Sequence, residues 1–239
     1  NGADSPEKLV RVMNNLAVAL MSQPERLEEA ARAFDDAIPM ARRAGAAPPV
    51  IGTLLTNQAN VYTLLEDVAA AEAAYVEALE VMRPAIGADH PSSLTTAVSL
   101  ASLYEFADDL ARAEATLRPV LATALSTLPA DHPTTAYAQN VLALTLCRQG
   151  GRAAALDGLE LARASLRTRA AGLPPDHWAL ASGASVEALC LIELGRHDDA
   201  RPLLERAIPL LVEQRGADHR LSARARAWYS RIPSAGPAH

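Results

Sequence analysis

The chain has 239 residues, half of them apolar and only 4% aromatic, with a formal net charge of −6 and a pI near 5.5. That balance argues against a general nucleic-acid or anionic-membrane partner, since both call for a basic surface. No apolar run approaches the ~18 residues of a membrane span and no signal peptide opens the chain, so no membrane association and a cytoplasmic location are expected.

The apolar content is dominated by Ala and Leu, the strongest helix formers, and no β-branched or aromatic stretch alternates as a strand would. The chain therefore reads as all-α. Lys8 stands alone among 21 Arg, a bias that points to a GC-rich genome. Cys147 and Cys190 are too few for a disulfide framework and are expected as reduced thiols. The first residue is not Met, which suggests a piece excised from a longer protein.

Four Asp-His pairs punctuate the sequence, with histidines at His90, His132, His177 and His219, separated by 42, 45 and 42 residues. Self-similarity at such a period predicts a stacked array of supersecondary units. Counting 42 residues back from His90 reaches Pro48, and 42 more reaches Pro6. The units run over about 5–47, 48–89, 90–131, 132–176 and 177–217, followed by a capping helix over 218–231, together one domain over 5–231 with a flexible tail at 232–239.

Within each unit a first helix carries a small residue at one phase, namely Ala17, Ala59, Ala101, Ala143 and Ala188. The residue before it is Leu16, Gln58, Leu100, Leu142 and Glu187, so an apolar face recurs at helical spacing with two polar exceptions. Turns follow at 22–25, 66–67, 108–109, 150–151 and 195–197. Each second helix then repeats small, large, small: Ala30, Phe34, Ala37; Ala71, Tyr75, Ala78; Ala113, Leu117, Val120; Ala155, Leu159, Ala162; and Ala200, Leu204, Ala207. Gly45, Gly87, Gly172 and Gly216 are expected to end these helices in the left-handed conformation. Asp89, Asp131, Asp176 and Asp218 are expected to cap the helices that follow. Pro119, near the middle of its helix, predicts a kink. In the capping helix Leu221, Ala225 and Trp228 form one stripe against Arg220, Arg224 and Arg231.

Small-residue phases spaced as in Leu142, Ala143, Leu146, Gly150, Ala155, Leu159 and Ala162 resemble the tetratricopeptide repeat. The 42-residue period and the Asp-His-Pro openings at 89–91 and 131–133 are similar to the longer-helix variety found in kinesin light chains and in many bacterial proteins. Trp178 and Arg220 stand where this pattern elsewhere has Pro, so the resemblance is to the repeat, not to a motor light chain. It implies a right-handed superhelical α-solenoid of antiparallel helix pairs that binds a protein or peptide segment along a concave groove lined by the first helices. Carried onto this sequence, the wall comprises Arg11, Asn14 and Val18; Thr56, Asn60 and Thr63; Ser102 and Glu105; Tyr137, Asn140 and Leu144; Ser185, Leu189 and Ile192; and Arg224. Asn60 and Asn140 are expected to clamp a partner's backbone, and Leu144, Leu189 and Ile192 to hold its apolar side chains. Residues 48–131 hold 3 Arg against 11 Asp and Glu, which favours a neutral or mildly basic segment.

Successive units of an array stand about a helix diameter, ~10 Å, apart, so histidines one repeat apart cannot share a zinc ion at bonds of about 2 Å. They are expected to cap helices or fill junctions, and no metal or cofactor is implied. No phosphate loop, nucleophile elbow or metalloprotease helix occurs, so the chain is expected not to be an enzyme. A second reading makes it the regulatory segment of a larger signalling protein, a kinase or nucleotide-switch ATPase, folded onto its own catalytic domain. Self-association through an array end is a further possibility.

Overall fold

The computed structural model describes residues 6–21 and 23–233 and contains only helices and turns among them. They are α1 (Pro6–Leu20), α2 (Leu27–Arg43), α3 (Pro48–Leu64), α4 (Val68–Ile86), α5 (Pro91–Phe106), α6 (Leu110–Thr127), α7 (Pro133–Gln149), α8 (Arg152–Gly172), α9 (Trp178–Glu193), α10 (His197–Arg215) and α11 (Arg220–Tyr229). A single 3-10 turn, Pro24–Arg26, precedes α2. The all-α solenoid fold expected from the repeats is therefore present. The chain packs as two compact units, Asn1–Asp109 and Leu110–His239, which divide at the α5–α6 turn inside the third repeat.

The small-residue phases are where helices approach. Ala17, Ala59, Ala101, Ala143 and Ala188 are fully buried, as are Ala30, Ala71, Ala113, Ala155 and Ala200 on the second helices. A methyl group there lets two backbones close on each other, and the larger residue four positions on fills the space beside it. Phe34, Leu117 and Leu204 are 0% exposed, and burying a side chain of that size stabilises by about 1.5–3 kcal/mol. The third position of the pattern fails once: Val120 is only partly buried, and Leu121 and Ala124 take the core side of α6 instead.

The first helices in the middle of the chain are buried almost all round. In α7 every residue from Ala138 to Cys147 is buried, and α5 and α9 behave similarly. A helix apolar on all sides belongs inside a protein, and α5, α7 and α9 carry Ala, Leu and small hydroxyl residues on every face.

The turns obey local chemistry. Glu66 and Asp108 adopt φ of 61° and 64°, the left-handed region, at matching turns of successive pairs. Gly45, Gly87 and Gly216 do so after α2, α4 and α10, whereas Gly172 stays within α8, which ends on the extended residue Leu173. Prolines do not end the second helices: α6 continues through Pro119, α2 through Pro39, α10 through Pro202 and Pro209, and α4 through Pro84, which the pattern did not single out.

Three expectations need correction. The helix caps at the repeat openings are made by the histidines, not the aspartates: Nδ1 of His90, His132, His177 and His219 accepts the backbone N–H two residues on, at 3.1–3.2 Å. An imidazole reaches that N–H from the N-cap position, leaving the preceding carboxylate free of the role. Cys147 and Cys190 are joined in a disulfide, not reduced, because α7 and α9 bring their Cα atoms to 5.2 Å. Gly158 makes room beside it, since a Cβ there would lie 2.4 Å from the Cys147 sulfur. The tail does not begin at Ile232, which is 7% exposed and packs on the apolar cluster of α9, α10 and α11, while Arg201 donates to the Pro233 carbonyl at 2.5 Å. Residues 234–239 of that expected tail, Ser22 in the first expected turn, and Ser5 at the start of the expected domain lie outside the described residues.

Candidate functional site

The first-helix positions divide sharply between the two units. In the first unit, Arg11 and Val18 are exposed and Asn14, Thr56, Asn60, Thr63 and Ser102 are partly exposed, while Glu105 is buried at 1% exposure. In the second unit Tyr137 and Arg224 are partly exposed, but Asn140, Leu144, Ser185, Leu189 and Ile192 are all buried, the most open of them at 8%. The pockets assigned to Leu144, Leu189 and Ile192 are thus already filled by the protein's own packing.

The accessible part is a polar ladder across α1, α3 and α5. Asn57 Nδ2 donates to Asn14 Oδ1 at 2.9 Å, tying α3 to α1. The hydroxyls of Thr56 and Thr96 meet at 3.0 Å, tying α3 to α5, and each is also within reach of the carbonyl four residues earlier. Tyr75 reaches across from α4 and donates its O–H to Asn60 Oδ1 at 2.5 Å. These bonds fix the amides without exhausting them. An Asn side chain offers two N–H donors and an acceptor oxygen, so Asn60 keeps its N–H groups, Asn14 its N–H groups and Asn57 its carbonyl oxygen. Thr63, by contrast, turns its hydroxyl to the Ala59 carbonyl at 2.8 Å.

Asn57 was not among the residues singled out from the sequence, although its place one turn from Asn60 on the same helix was a usable signal. In the second unit Asn140 Oδ1, Gln139 Oε1 and Thr135 Oγ1 are buried without a hydrogen-bond partner. At the positions equivalent to Thr135, Ser93 donates to the Gly87 carbonyl and Ser222 to the Gly216 carbonyl, both at 2.8 Å; those glycines have φ of 94° and 98°, which Pro129, the residue six before Thr135, cannot adopt.

Among the described residues no group of three His, Cys, Asp or Glu side chains is placed to hold a metal ion, and no helix is long and apolar enough to cross a membrane. His219 is the perturbed titrating group at the junctions. Burial first, then Arg215 and Arg220, pull its imidazole down to about 4.

Residues 50–126 match the sequence profile of the tetratricopeptide repeat. No curated protein matches the chain in sequence. Among solved structures, the nearly identical TPR-like repeats of a putative kinesin light chain from Podosopora anserina superpose with a TM-score of 0.65 at 20% identity, covering 89% of this chain and 100% of that one. BtubC (BKLC) from P. vanneervenii gives 0.62 at 16% identity, covering 89% and 90%. The apo quorum sensor NprR from B. thuringiensis gives 0.60 at 20% identity, covering 94% of this chain but 58% of that one. At such identities the likeness is one of fold.

Proposed function

This chain carries tetratricopeptide repeats and has the fold of kinesin light chain-like repeat proteins, and from that premise we propose that it is a non-enzymatic scaffold for protein–protein interaction. Its ligand is a peptide or protein segment bound along the polar ladder of α1, α3 and α5. The observation that carries this reading is the set of half-used amides at Asn14, Asn57 and Asn60. Each is held in place by one hydrogen bond and keeps donors or an acceptor for a partner's backbone, and each sits on a helix that the core fixes. Arg11 and Val18 flank the ladder on α1, one offering a charge and the other an exposed apolar surface.

Asn140 has a different place in this reading. It is buried, so its first role is in packing, and a partner would reach it only by parting α7 from its neighbours. The clamp is therefore reassigned from Asn60 and Asn140 to Asn14 and Asn60. The acidic excess of residues 48–131 still favours a neutral or mildly basic segment.

The test is affinity capture on the immobilised chain from lysate of its source cell, with Asn14→Ala/Asn60→Ala as control. A partner held by the parent and lost by the variant, with helicity unchanged by circular dichroism, supports the ladder. Capture of the same partner by both would remove binding from this face.

A further inference from the structure

The second unit has a second, separate concavity on its other helices. A cleft of about 710 Å³ opens between α6 and α8, floored by α7. Leu121 and Leu125 from α6, Leu142 and Leu146 from α7, and Leu161 from α8 make it apolar. Leu125 is 59% exposed, the most exposed large apolar side chain among the described residues. The positions 42 residues before and after Leu125 are Arg83 and Arg167, and the equivalent residue of the fifth unit is Val212, so this phase carries a charge in the two neighbouring units and an apolar side chain in the fifth. Along α8 the lining runs from Asp157 to Arg167, about 15 Å at 1.5 Å per residue, the length of roughly three helical turns.

The rim has an electrical direction. Two of its charges are already engaged, Arg118 with Glu114 and Arg163 with Glu187. Asp157, Glu160 and Arg167 have no partner among the described residues, and they are ordered: the two acids lie near the start of α8 and the arginine lies beyond Leu161. Joined by short turns to α7, α6 and α8 run in the same direction; along α8 the rim is acidic at Asp157 and Glu160 and basic further on at Arg167, while α6 adds only the paired Arg118.

We propose that this cleft docks an amphipathic helix of a partner protein, running antiparallel to α6 and α8, with an acidic first turn, a leucine-type face and a basic last turn. The reason for this occupant is charge order combined with the helix dipole. Helices favour acids in their first turn and bases in their last. Laid antiparallel, such a helix sets its acids against Arg167 and its bases against Asp157 and Glu160, while its apolar face covers Leu121 and Leu125. A parallel helix of the same kind would oppose like charges at both ends. This surface lies in the second unit on α6 and α8 and does not use the amides of α1 and α3, so it stands or falls apart from the ladder.

The probe is a fluorescein-labelled helical peptide of about four turns, with Glu in the first turn, Leu at every third or fourth position on one face, and Lys in the last turn. A second peptide has the Glu and Lys turns exchanged. Anisotropy titrations with the full chain should give at least about 10-fold tighter binding for the first peptide, the effect expected of correctly paired rim charges around an apolar anchor. Leu125→Asp should weaken it by at least about 10-fold with unchanged circular dichroism, because that side chain is exposed and supports no core. Arg167→Glu should narrow the preference between the two peptides, and Asn14→Ala/Asn60→Ala should leave it unchanged. The proposal is overturned if neither peptide binds, if both bind alike, if Leu125→Asp has no effect, or if the ladder variant abolishes binding. It also falls if the peptide fails while sedimentation velocity shows a dimer that Leu125→Asp abolishes, which would assign the cleft to a second copy of this chain.

Discussion

His219 accepts the Leu221 N–H at Nδ1, and its Nε2 lies 3.2 Å from Arg215 Nη2. Burial, then the guanidinium groups of Arg215 and Arg220, hold the group at about 4 instead of 6.5. Between those values the unfolded chain takes up a proton that the folded chain refuses. Stability from this residue is therefore complete above pH 6.5 and is lost as the pH falls toward 4. Thermal unfolding between about pH 7 and 4.5 should show His219→Asn, which keeps an N-cap acceptor, losing less stability than the parent by about 1–2 kcal/mol, a figure discounted for the ring's partial exposure. Parallel pH profiles would remove the ring from the account. The departures from the repeat also find their reasons at this scale. Trp178 replaces the Pro that opens α5 and α7 and so brings an N–H that Pro lacks; Gln214 Oε1 accepts it at 3.0 Å, and Arg215 stacks 4.8 Å above the indole. Gln58 and Glu187, the polar exceptions to a leucine phase, are each met by a partner, Asp35 at 2.8 Å and Arg163 at 2.7 Å. The exceptions were visible in the sequence, but their partners, 23 and 24 residues away in the preceding helix, were not.

Between elements, the disulfide of Cys147 and Cys190 ties the first helices of two neighbouring repeats and closes a loop of 43 residues. Cross-linking a loop of that length limits the unfolded chain, for a stabilisation of about 2–4 kcal/mol. Cys147→Ser/Cys190→Ser should unfold at a denaturant midpoint lower by that free energy, and a reductant should lower the parent's midpoint without moving the variant's. A parent indifferent to reductant after unfolding and refolding would show that the bond contributes nothing. The spacing of the two cysteines is close to one repeat, so their meeting was partly legible; what the periodicity lacked was the relative rotation of α7 and α9 and the gap left by Gly158.

For the whole molecule, we propose that residues 6–231 unfold as one cooperative array, because each repeat leaves an apolar face that only its neighbour can cover. A single calorimetric transition with equal calorimetric and van't Hoff enthalpies would agree with this; two resolved transitions would make the compact units Asn1–Asp109 and Leu110–His239 separate domains. Helix type, helix pairing, the alanine phases and the histidine-marked junctions were all set by the sequence alone, since each rests on local propensity or on a period that any stack of these helices must respect. Tertiary structure alone decided which first-helix residues remain within a partner's reach. Thr56 and Asn140 occupy the same place in their repeats, eight residues past Pro48 and His132, yet one is partly exposed beside Thr96 and the other is buried near α9. Periodicity gives a residue's angle on its own helix, whereas exposure depends on how closely the neighbouring helices approach, and that distance is fixed by side chains many repeat positions away.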